Sequence, residues 1–594
     1  MKQPYRWQII WVLLCLLLLP AVVRAQFTFT TNNGAITITG YTGADGSVTV
    51  PGTTNGLPVV IGDAAFINSS TLTSLTLLNG VKNIGVSICY NCPNLASVTI
   101  PGSVTNIGNN AFYFCPGLTN ASIGNGVASI GTGAFTFAPL LSLTLPGSVT
   151  NIGPGAFNGC YALTSLTIPA SVKSIGSNAF YNCHQIPGVV IPASVVSIGV
   201  GAFELCSAMT NITVDTANPN YASVAGVLFN KNLTTLLEYP GGGNGSSNYV
   251  IPGSVKNIGV AAFADCLQTN VTIPSSVTSI GDNAFNDCTP LTSLTISGSV
   301  TNIGATALNF CFGMTNITVD ATNTKYASAD GVLYDQAITR LLQYPAGKPG
   351  KFVIPGTVKT IAGYSCVESA MNHVVIPSSV TNIESWAFAY NFSLVDVTIP
   401  GSVRNIRSLA FWNCNGLTNV TILEGVTNIE STAFGSCYGL ISVTLPASLQ
   451  TIGVQAFGNC SSLTNVYCPG NAPTVVTNIF TGNNSAFTGD PGTVYYLPGT
   501  TGWTNTFGGL PTALWYLPNP LILNTDSGLG VRTNRFGFTI SWATNNLVVV
   551  EACTNLSHPA WQPVQTNTLT GGMAYFSDLQ WTNYPGRFYR LRSP

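Results

Sequence analysis

One short phrase returns along most of the chain at a nearly constant interval. Marking the aromatic residue of each Ile-Gly-x-x-Ala-Phe word and its variants gives Phe66, Phe112, Phe135, Phe157, Phe180, Phe203, Phe263, Phe285, Phe388, Phe411, Phe434 and Phe457. Cys89, Leu308 and Cys366 fill the same slot. Most steps are 22 or 23 residues, as between Phe135, Phe157, Phe180 and Phe203. A period of that length points to a solenoid, in which each coil contacts its neighbours along one axis. The 594 residues are too many for one ordinary core and suit such a stack.

Within the unit "LTSLTIPASVKSIGSNAFYNC", residues 163–183, Leu163, Leu166 and Ile168 form an L-x-x-L-x-I pattern. That alternation predicts a short strand with its apolar side chains inward. Pro169 ends it, because proline has no N–H for a ladder. Val172 and Ile175 supply a second apolar pair, and Gly176 turns the chain. Asn178, placed as a cap ahead of Ala179 and Phe180, predicts a single helical turn that tucks the ring inside. No coil can bury these side chains alone, so the burial is shared through stacking, at ~1.5–3 kcal/mol for each fully buried Leu or Phe.

Composition narrows the class further. Only 7% of residues are charged and the formal net charge is −1, which argues against a nucleic-acid partner. Apolar residues at 46%, with 61 Gly and 35 Pro, argue against disorder and for short strands joined by tight turns. The N-terminal "MKQPYRWQIIWVLLCLLLLPAVVRAQ" has Lys2 and Arg6 before an apolar run, then Pro20 and the small-residue pattern ending at Ala25. It reads as a secretory signal over residues 1–25, cleaved near Ala25, rather than an anchor. The mature chain is expected to be secreted or at the cell surface, with no membrane span.

The words "LTSLTIPASVKSIGSNAFYNC" and "LTNVTILEGVTNIESTAFGSC" resemble BspA-like leucine-rich repeats, over roughly residues 50 to 470. The resemblance implies a mainly β, leucine-rich-repeat-type solenoid of 22–23-residue coils with short helical turns. It also implies secreted or surface proteins that bind other proteins or cells, without one shared reaction.

The domain organisation expected from these patterns has several parts. Residues 26–50, with "FTFTTNNGAITITGYTG", form an N-terminal hairpin cap. Residues 51–470 hold about fifteen units, with hairpin insertions near 212–250 and 317–353. Residues 471–520, rich in Gly, Pro and Trp, close the last coil and form a linker. Residues 521–594 carry five apolar-alternating runs and read as a small β-sandwich resembling immunoglobulin or fibronectin-type modules. Its terminal Arg587, Arg590 and Arg592 are expected on a solvated edge strand.

Candidate chemistry is sparse. Cys92, Cys115, Cys160, Cys183, Cys206, Cys266, Cys288, Cys311, Cys414, Cys437 and Cys460 share one slot with Ser69, Ala138 and Asn391. The triplets within this column cannot all pair with neighbours, so it reads as a buried apolar column rather than disulfides. The C-x-x-C at Cys89 and Cys92 has no second pair at zinc spacing. Asp215 and Asp320 lack the alternating carboxylates of a calcium loop and read as turn residues. His184, His373 and His558 lie far apart and show no nucleophile motif or acidic partner nearby. Glu384, Asp396, Glu424 and Glu430 lie in neighbouring coils, where glycosidase-like pairing is the alternative to surface charge. No cofactor or metal is expected, and the chain is read as not an enzyme.

Binding is expected at the variable corner around the Ala-Phe-x-x-Cys word. Its aromatics are Tyr113, Phe114, Phe137, Tyr161, Tyr181, Phe310, Phe312, Tyr390, Trp412 and Tyr438. They form either corner packing or an aromatic ridge that takes an extracellular or surface protein or glycan. The strand face, by contrast, presents rows of small hydroxyls such as Ser165 and Thr167, without the Trp, Tyr or Arg that usually anchor a partner. A non-catalytic binding scaffold is therefore the expected function. The alternatives are an extracellular carbohydrate-active enzyme and a structural surface-layer component.

Overall fold

The computed structural model describes residues 27–593, apart from 33, 44–45, 244, 477–484, 516–519, 524–528, 533–534 and 543–545. The signal segment expected over residues 1–25 lies outside the described residues. The chain divides into two compact units, Met1–Lys325 and Tyr326–Pro594. Regular structure is almost all strand, with a 3-10 turn at Trp581–Asn583 as the one helix among the described residues.

Most coils contribute to two parallel sheets. Ser97–Ile100 turns Val98 and Ile100 inward and Ser97 and Thr99 outward, and pairs with Ser74–Leu77 and Asn120–Ile123 on either side. After a Pro-Gly turn, the two-residue strand Asn106–Ile107 begins a second sheet, continued by Ser129–Ile130, Asn151–Ile152, Ser174–Ile175 and Ser197–Ile198. In the second unit both sheets run to nine strands. The segment 163–168 keeps the expected alternation, with Leu163, Leu166 and Ile168 buried and Ser165 and Thr167 exposed, yet it joins no ladder among the described residues. The break coincides with the 22-residue step from Phe135 to Phe157, one shorter than the next, and with Pro139, which brings no N–H.

The corner forms a third ladder. The N–H of Phe112 donates to the Ala134 carbonyl at 2.7 Å, Phe135 to Ala156 at 2.7 Å, Phe157 to Ala179 at 2.8 Å and Phe180 to Ala202 at 2.8 Å. Asn178 and Asn182 sit at φ +56° and +61°. A helix N-cap has an extended backbone, so Asn178 does not cap a helix. The corner is instead two linked turns, closed by Ala179 N–H to Gly176 and Tyr181 N–H to Asn178 at 3.3 and 3.1 Å. A helix would spend its N–H groups on its own carbonyls, whereas these turns aim alternate N–H groups at the next coil.

Inside the corner the Phe rings stack. Phe135, Phe157, Phe180 and Phe203 follow one another at 5.4, 5.3 and 5.6 Å between centroids. In the second unit Phe388, Phe411, Phe434 and Phe457 do so at 5.0, 5.1 and 5.1 Å. The fifteen described cysteines are free and buried. Those of the column do more than fill space: Cys183 donates its thiol to the Phe157 carbonyl at 3.3 Å and Cys206 to that of Phe180 at 3.2 Å. Asn391, in the same slot, donates to the Cys366 and Phe388 carbonyls, both at 2.7 Å. Where the slot holds Cys or Asn, it therefore adds a small donor to a buried carbonyl, whereas Ala138 fills it without one. Burial also pushes the Cys183 thiol well above its ordinary value, which leaves it unreactive.

At the start of the first unit, Phe27–Asn32 pairs antiparallel with Ala35–Tyr41, which continues in parallel with Leu57–Ile61. The Phe27 and Tyr41 rings lie 6.2 and 5.6 Å from that of Phe66 and cover the first ring of the column. Between Phe203 and Phe263, Tyr221–Val224, Val227–Asn230 and Thr235–Glu238 form an antiparallel meander whose last strand joins Asn257–Ile258 in the second sheet. Tyr239 there occupies the ring column, 5.1 Å from Phe263. Tyr326–Ala329, Val332–Asp335 and Arg340–Gln343 repeat the plan in the second unit. Asp215 and Asp320 accept the N–H two residues on, from Ala217 at 2.9 Å and Thr322 at 2.8 Å, as turn residues do.

Beyond the coils of the second unit lie two antiparallel sheets. Leu521–Leu523, Gly530–Arg532, Arg535–Ser541 and Met573–Asp578 form one; Leu547–Cys553, Gln562–Thr568 and Phe588–Arg592 form the other. They share an apolar cluster of Phe538, Ile540, Val548, Val550, Leu569 and Phe576. The terminal arginines are not simply solvated, because parity along Phe588–Arg592 sets two of them beside a carboxylate. Arg590 and Arg592 bond Glu551 at 2.8 and 3.0 Å, and Arg587 pairs with Asp578 at 2.8 Å.

Two measurements check this packing. Phe180→Ala removes a fully buried ring from mid-column and should destabilise the first unit by about 3–5 kcal/mol, read as a shift in denaturant midpoint. A parent-like midpoint would contradict the stacked column. The second concerns Glu238, which is buried and accepts the Phe203 N–H at 3.1 Å. Burial, then Glu204, pushes its carboxyl up to about 8; burial, then Asp265, pushes Glu204 up to about 7. Raised carboxyls favour the folded state while protonated, so their contribution is complete below about 4.5 and lost as pH rises through about 8. The melting temperature should fall between those values, and Glu204→Gln with Glu238→Gln should flatten the fall. An unchanged slope in the double variant would contradict the assignment.

Candidate functional site

The corner ladder fixes two left-handed positions per coil, one just before the Ala-Phe pair and one just before the Cys slot. Where the residue is Asn178, Asn182, Asn413 or Gly159, this conformation costs little. In several coils it is held by a bulky aromatic: Phe114 at φ +57°, Phe137 at +60°, Phe310 at +59°, Tyr364 at +61°, Trp386 at +65° and Tyr390 at +60°. Such a residue in the left-handed region costs on the order of 1–3 kcal/mol, and strain of this kind clusters at binding and active sites.

These aromatics gather into separate groups. In the first unit Tyr90 and Tyr113 stack at 5.2 Å, and Phe137 meets Tyr113 at 6.0 Å and Phe114 at 6.2 Å, edge to face. Phe310 and Phe312 form a pair at 6.5 Å. In the second unit Tyr364 stacks on Trp386 at 5.8 Å; Trp412 stands edge-on to Trp386 at 5.5 Å and to Tyr390 at 4.8 Å; Phe392 meets Tyr390 at 6.2 Å. Among the described residues this is the largest exposed aromatic group on a corner, with Phe392 half exposed and Tyr364, Trp386, Tyr390 and Trp412 partly so.

Of the residues expected at the corner, Tyr113, Phe114 and Phe137 come together, as do Tyr390 and Trp412, and Phe310 and Phe312. Tyr161, Tyr181 and Tyr438 stand outside these groups; Tyr161 and Tyr438 are exposed, whereas Tyr181 is half-buried and its hydroxyl is raised by burial and by Glu204. Tyr90, Tyr364, Trp386 and Phe392 were not singled out by sequence reasoning. The signal for Tyr364 and Trp386 was available: they occupy the left-handed slot that holds Asn178 and Gly155 in other coils.

The sheet face is less uniform than expected. Parallel register sets Lys351, His373, Asp396, Asn419, Ser442, Asn465 and Thr493 in one outward row. His373 Nδ1 lies 2.5 Å from Asp396, so this histidine does have an acidic partner, one coil away. Toward its end the adjacent row carries Tyr467 and Tyr495, stacked at 5.6 Å, with Trp515 at 4.7 Å from Tyr467. The carboxylates considered for catalysis are each engaged. Arg340 forks Glu384 at 2.8 Å on both oxygens, Arg407 holds Glu430 at 2.9 Å, and Glu424 accepts the N–H groups of Ala447 and Ser448 at 2.7 and 3.0 Å. Among the described residues no group of three or more His, Cys, Asp or Glu side chains is placed to hold a metal ion, and no helix is long and apolar enough to cross a membrane.

No curated protein matches the sequence. Among solved structures, a leucine rich cell surface protein from Faecalibacterium prausnitzii is 27% identical over 75% of this chain and 94% of its own, with a TM-score of 0.34. A leucine-rich repeat protein from Eubacterium ventriosum is 22% identical over 81% and 95%, at 0.35. One from Bacteroides ovatus is 22% identical over 75% and 93%, at 0.37. The BspA type Leucine rich repeat region, in six copies, matches residues 53–162, 129–238, 242–330 and 352–486. That span exceeds half of the sequence and agrees with the stacked coils, so the protein belongs to the BspA-type leucine-rich repeat family.

Proposed function

We infer that this protein is a secreted or cell-surface, non-catalytic binding scaffold that captures a protein partner through the aromatic ridge Tyr364, Trp386, Tyr390, Phe392 and Trp412. The observation that carries the reading is the placement of Tyr364, Trp386 and Tyr390 at left-handed positions, where Asn or Gly would be less strained. Core packing gives no reason for that cost, because the rings lie outside the buried Phe column. Trp and Tyr in a partly exposed group are the residue types that dominate protein interfaces. The engaged carboxylates favour a scaffold over a hydrolase.

The domain division belongs to the same proposal: a signal over residues 1–25, an N-terminal cap to residue 50, coils over 51–470 carrying insertions near 212–250 and 317–353, a closing segment to 520, and a terminal immunoglobulin- or fibronectin-type module over 521–594. The shared cluster of the two terminal sheets supports the last of these.

Replacing Trp386 and Tyr390 together by Asn separates binding from packing. Relief of the left-handed cost should leave the melting temperature at or above that of the parent, while retention of surface proteins from a cell-envelope extract on the immobilised mature chain should drop severalfold. A lower melting temperature with unchanged retention would assign the ridge to packing and overturn the proposal.

A further inference from the structure

We propose that the outward sheet face of the second unit, at its Tyr467, Tyr495 and Trp515 end, is a binding track for a linear, uncharged polysaccharide. The inference is independent of the corner ridge, because it rests on a different face and on different residues.

The parallel register makes this face a continuous track. Thr398, Thr421, Thr444, Tyr467 and Tyr495 are consecutive partners across the strands Asp396–Ile399, Asn419–Ile422, Ser442–Thr444, Asn465–Cys468 and Thr493–Tyr496. Asn419, Ser442, Asn465 and Thr493 run beside them, two residues earlier on each strand. Strand alternation turns both rows away from the core, whose side of the same strands is Val420, Val443, Val466 and Val494, all buried. Successive positions are thus about 4.8 Å apart, close to the length of one sugar ring in an extended chain.

Two features select the ligand class. The first is stacking surface: Tyr467 and Tyr495 lie 27° from parallel, and the Trp515 ring packs against Tyr467. The rings cover part of one another and are partly exposed, and the ring faces and edges left uncovered can accept the C–H face of a sugar while the polar tips of Tyr and Trp hydrogen-bond at its edge. The second is charge. From Asn419 to Thr493 and from Thr421 to Ala513 both rows consist of Asn, Ser, Thr, Tyr and Ala, without a carboxylate or a cationic group. The ionic residues Lys351, His373 and Asp396 are confined to the opposite end. Hydroxyl and amide groups both donate and accept, which suits the mixed hydroxyls of a neutral glycan; an anionic one would find no counter-charge here. The track is open rather than a pocket, so affinity for one chain should be weak and gain from repeated contact.

The test uses the full mature chain and isothermal titration with cellohexaose, xylohexaose, mannohexaose and chitohexaose, against a heparin hexasaccharide and trigalacturonate. At least one neutral hexaose should bind more tightly than either acidic sugar. Tyr467→Ala and Tyr495→Ala should each weaken that binding by about tenfold, Tyr467→Phe should retain most of it, and the Trp386 and Tyr390 double Asn variant should bind as the parent does. Parent-like melting of the Tyr467→Ala and Tyr495→Ala proteins guards against a folding defect. The proposal is overturned if no neutral hexaose binds, if the acidic sugars bind better, or if binding survives both alanine substitutions. Loss of hexaose binding in the ridge variant alone would also overturn it.

Discussion

The hydrogen bond from a corner Phe N–H to the Ala carbonyl of the next coil, repeated from Phe112, Phe135, Phe157 and Phe180 and from Phe388, Phe411 and Phe434, is the contact on which the rest of the structure depends. A 22- or 23-residue coil has no interior of its own; its Leu, Val, Ile and Phe side chains are covered only when another coil lies on each side. The corner bond sets the spacing between coils at the point where the rings stack, and the two sheets keep the same spacing on the other sides. Thiol and carboxamide donors in the Cys slot then satisfy carbonyls that the stacked turns leave buried, as Cys183 and Asn391 show. This is why the slot accepts both residue types although they differ in polarity.

The same ladder dictates where function can be placed. Aiming alternate N–H groups at the neighbour requires left-handed residues at the corner, and many coils fill those positions with Asn, Gly or Asp, others with residues such as Ser87, Leu205, Leu409 or Gln455. Where Tyr364, Trp386 and Tyr390 stand instead, the backbone is unchanged but the corner carries a projecting ring. The repeat can therefore vary its corner without altering the stack, at a local cost in stability. The sheet face offers a second variable surface, since outward positions alternate with buried ones; Tyr467 replaces the Thr found at 398, 421 and 444 without disturbing the buried Val row.

Much of this architecture was legible in the repeat. The period, the inward Leu and Ile positions and the buried Phe column follow from spacing and alternation alone, because one face of every segment must be covered. The corner conformation was less legible: Asn178 before Ala-Phe suits a helix cap and a left-handed turn equally well, and only the carbonyl of the next coil decides between them. Register across coils was also hidden, which is why the His373 and Asp396 pair and the Tyr467 and Tyr495 stack escaped a reading made one coil at a time. Tyr161 and Tyr438 show the converse. Their slot is aromatic in sequence, but neighbouring coils supply no ring to join them.

Amide hydrogen exchange over the coils from Phe112 to Phe203 tests the dependence on neighbours most directly. If corner bonds and ring stacking link the coils, amides of Phe135, Phe157 and Phe180 should be the most protected and should exchange together, with protection falling toward the first coils at Phe66. Independent exchange of single coils, each with its own rate and unaffected by the coil beside it, would contradict that account.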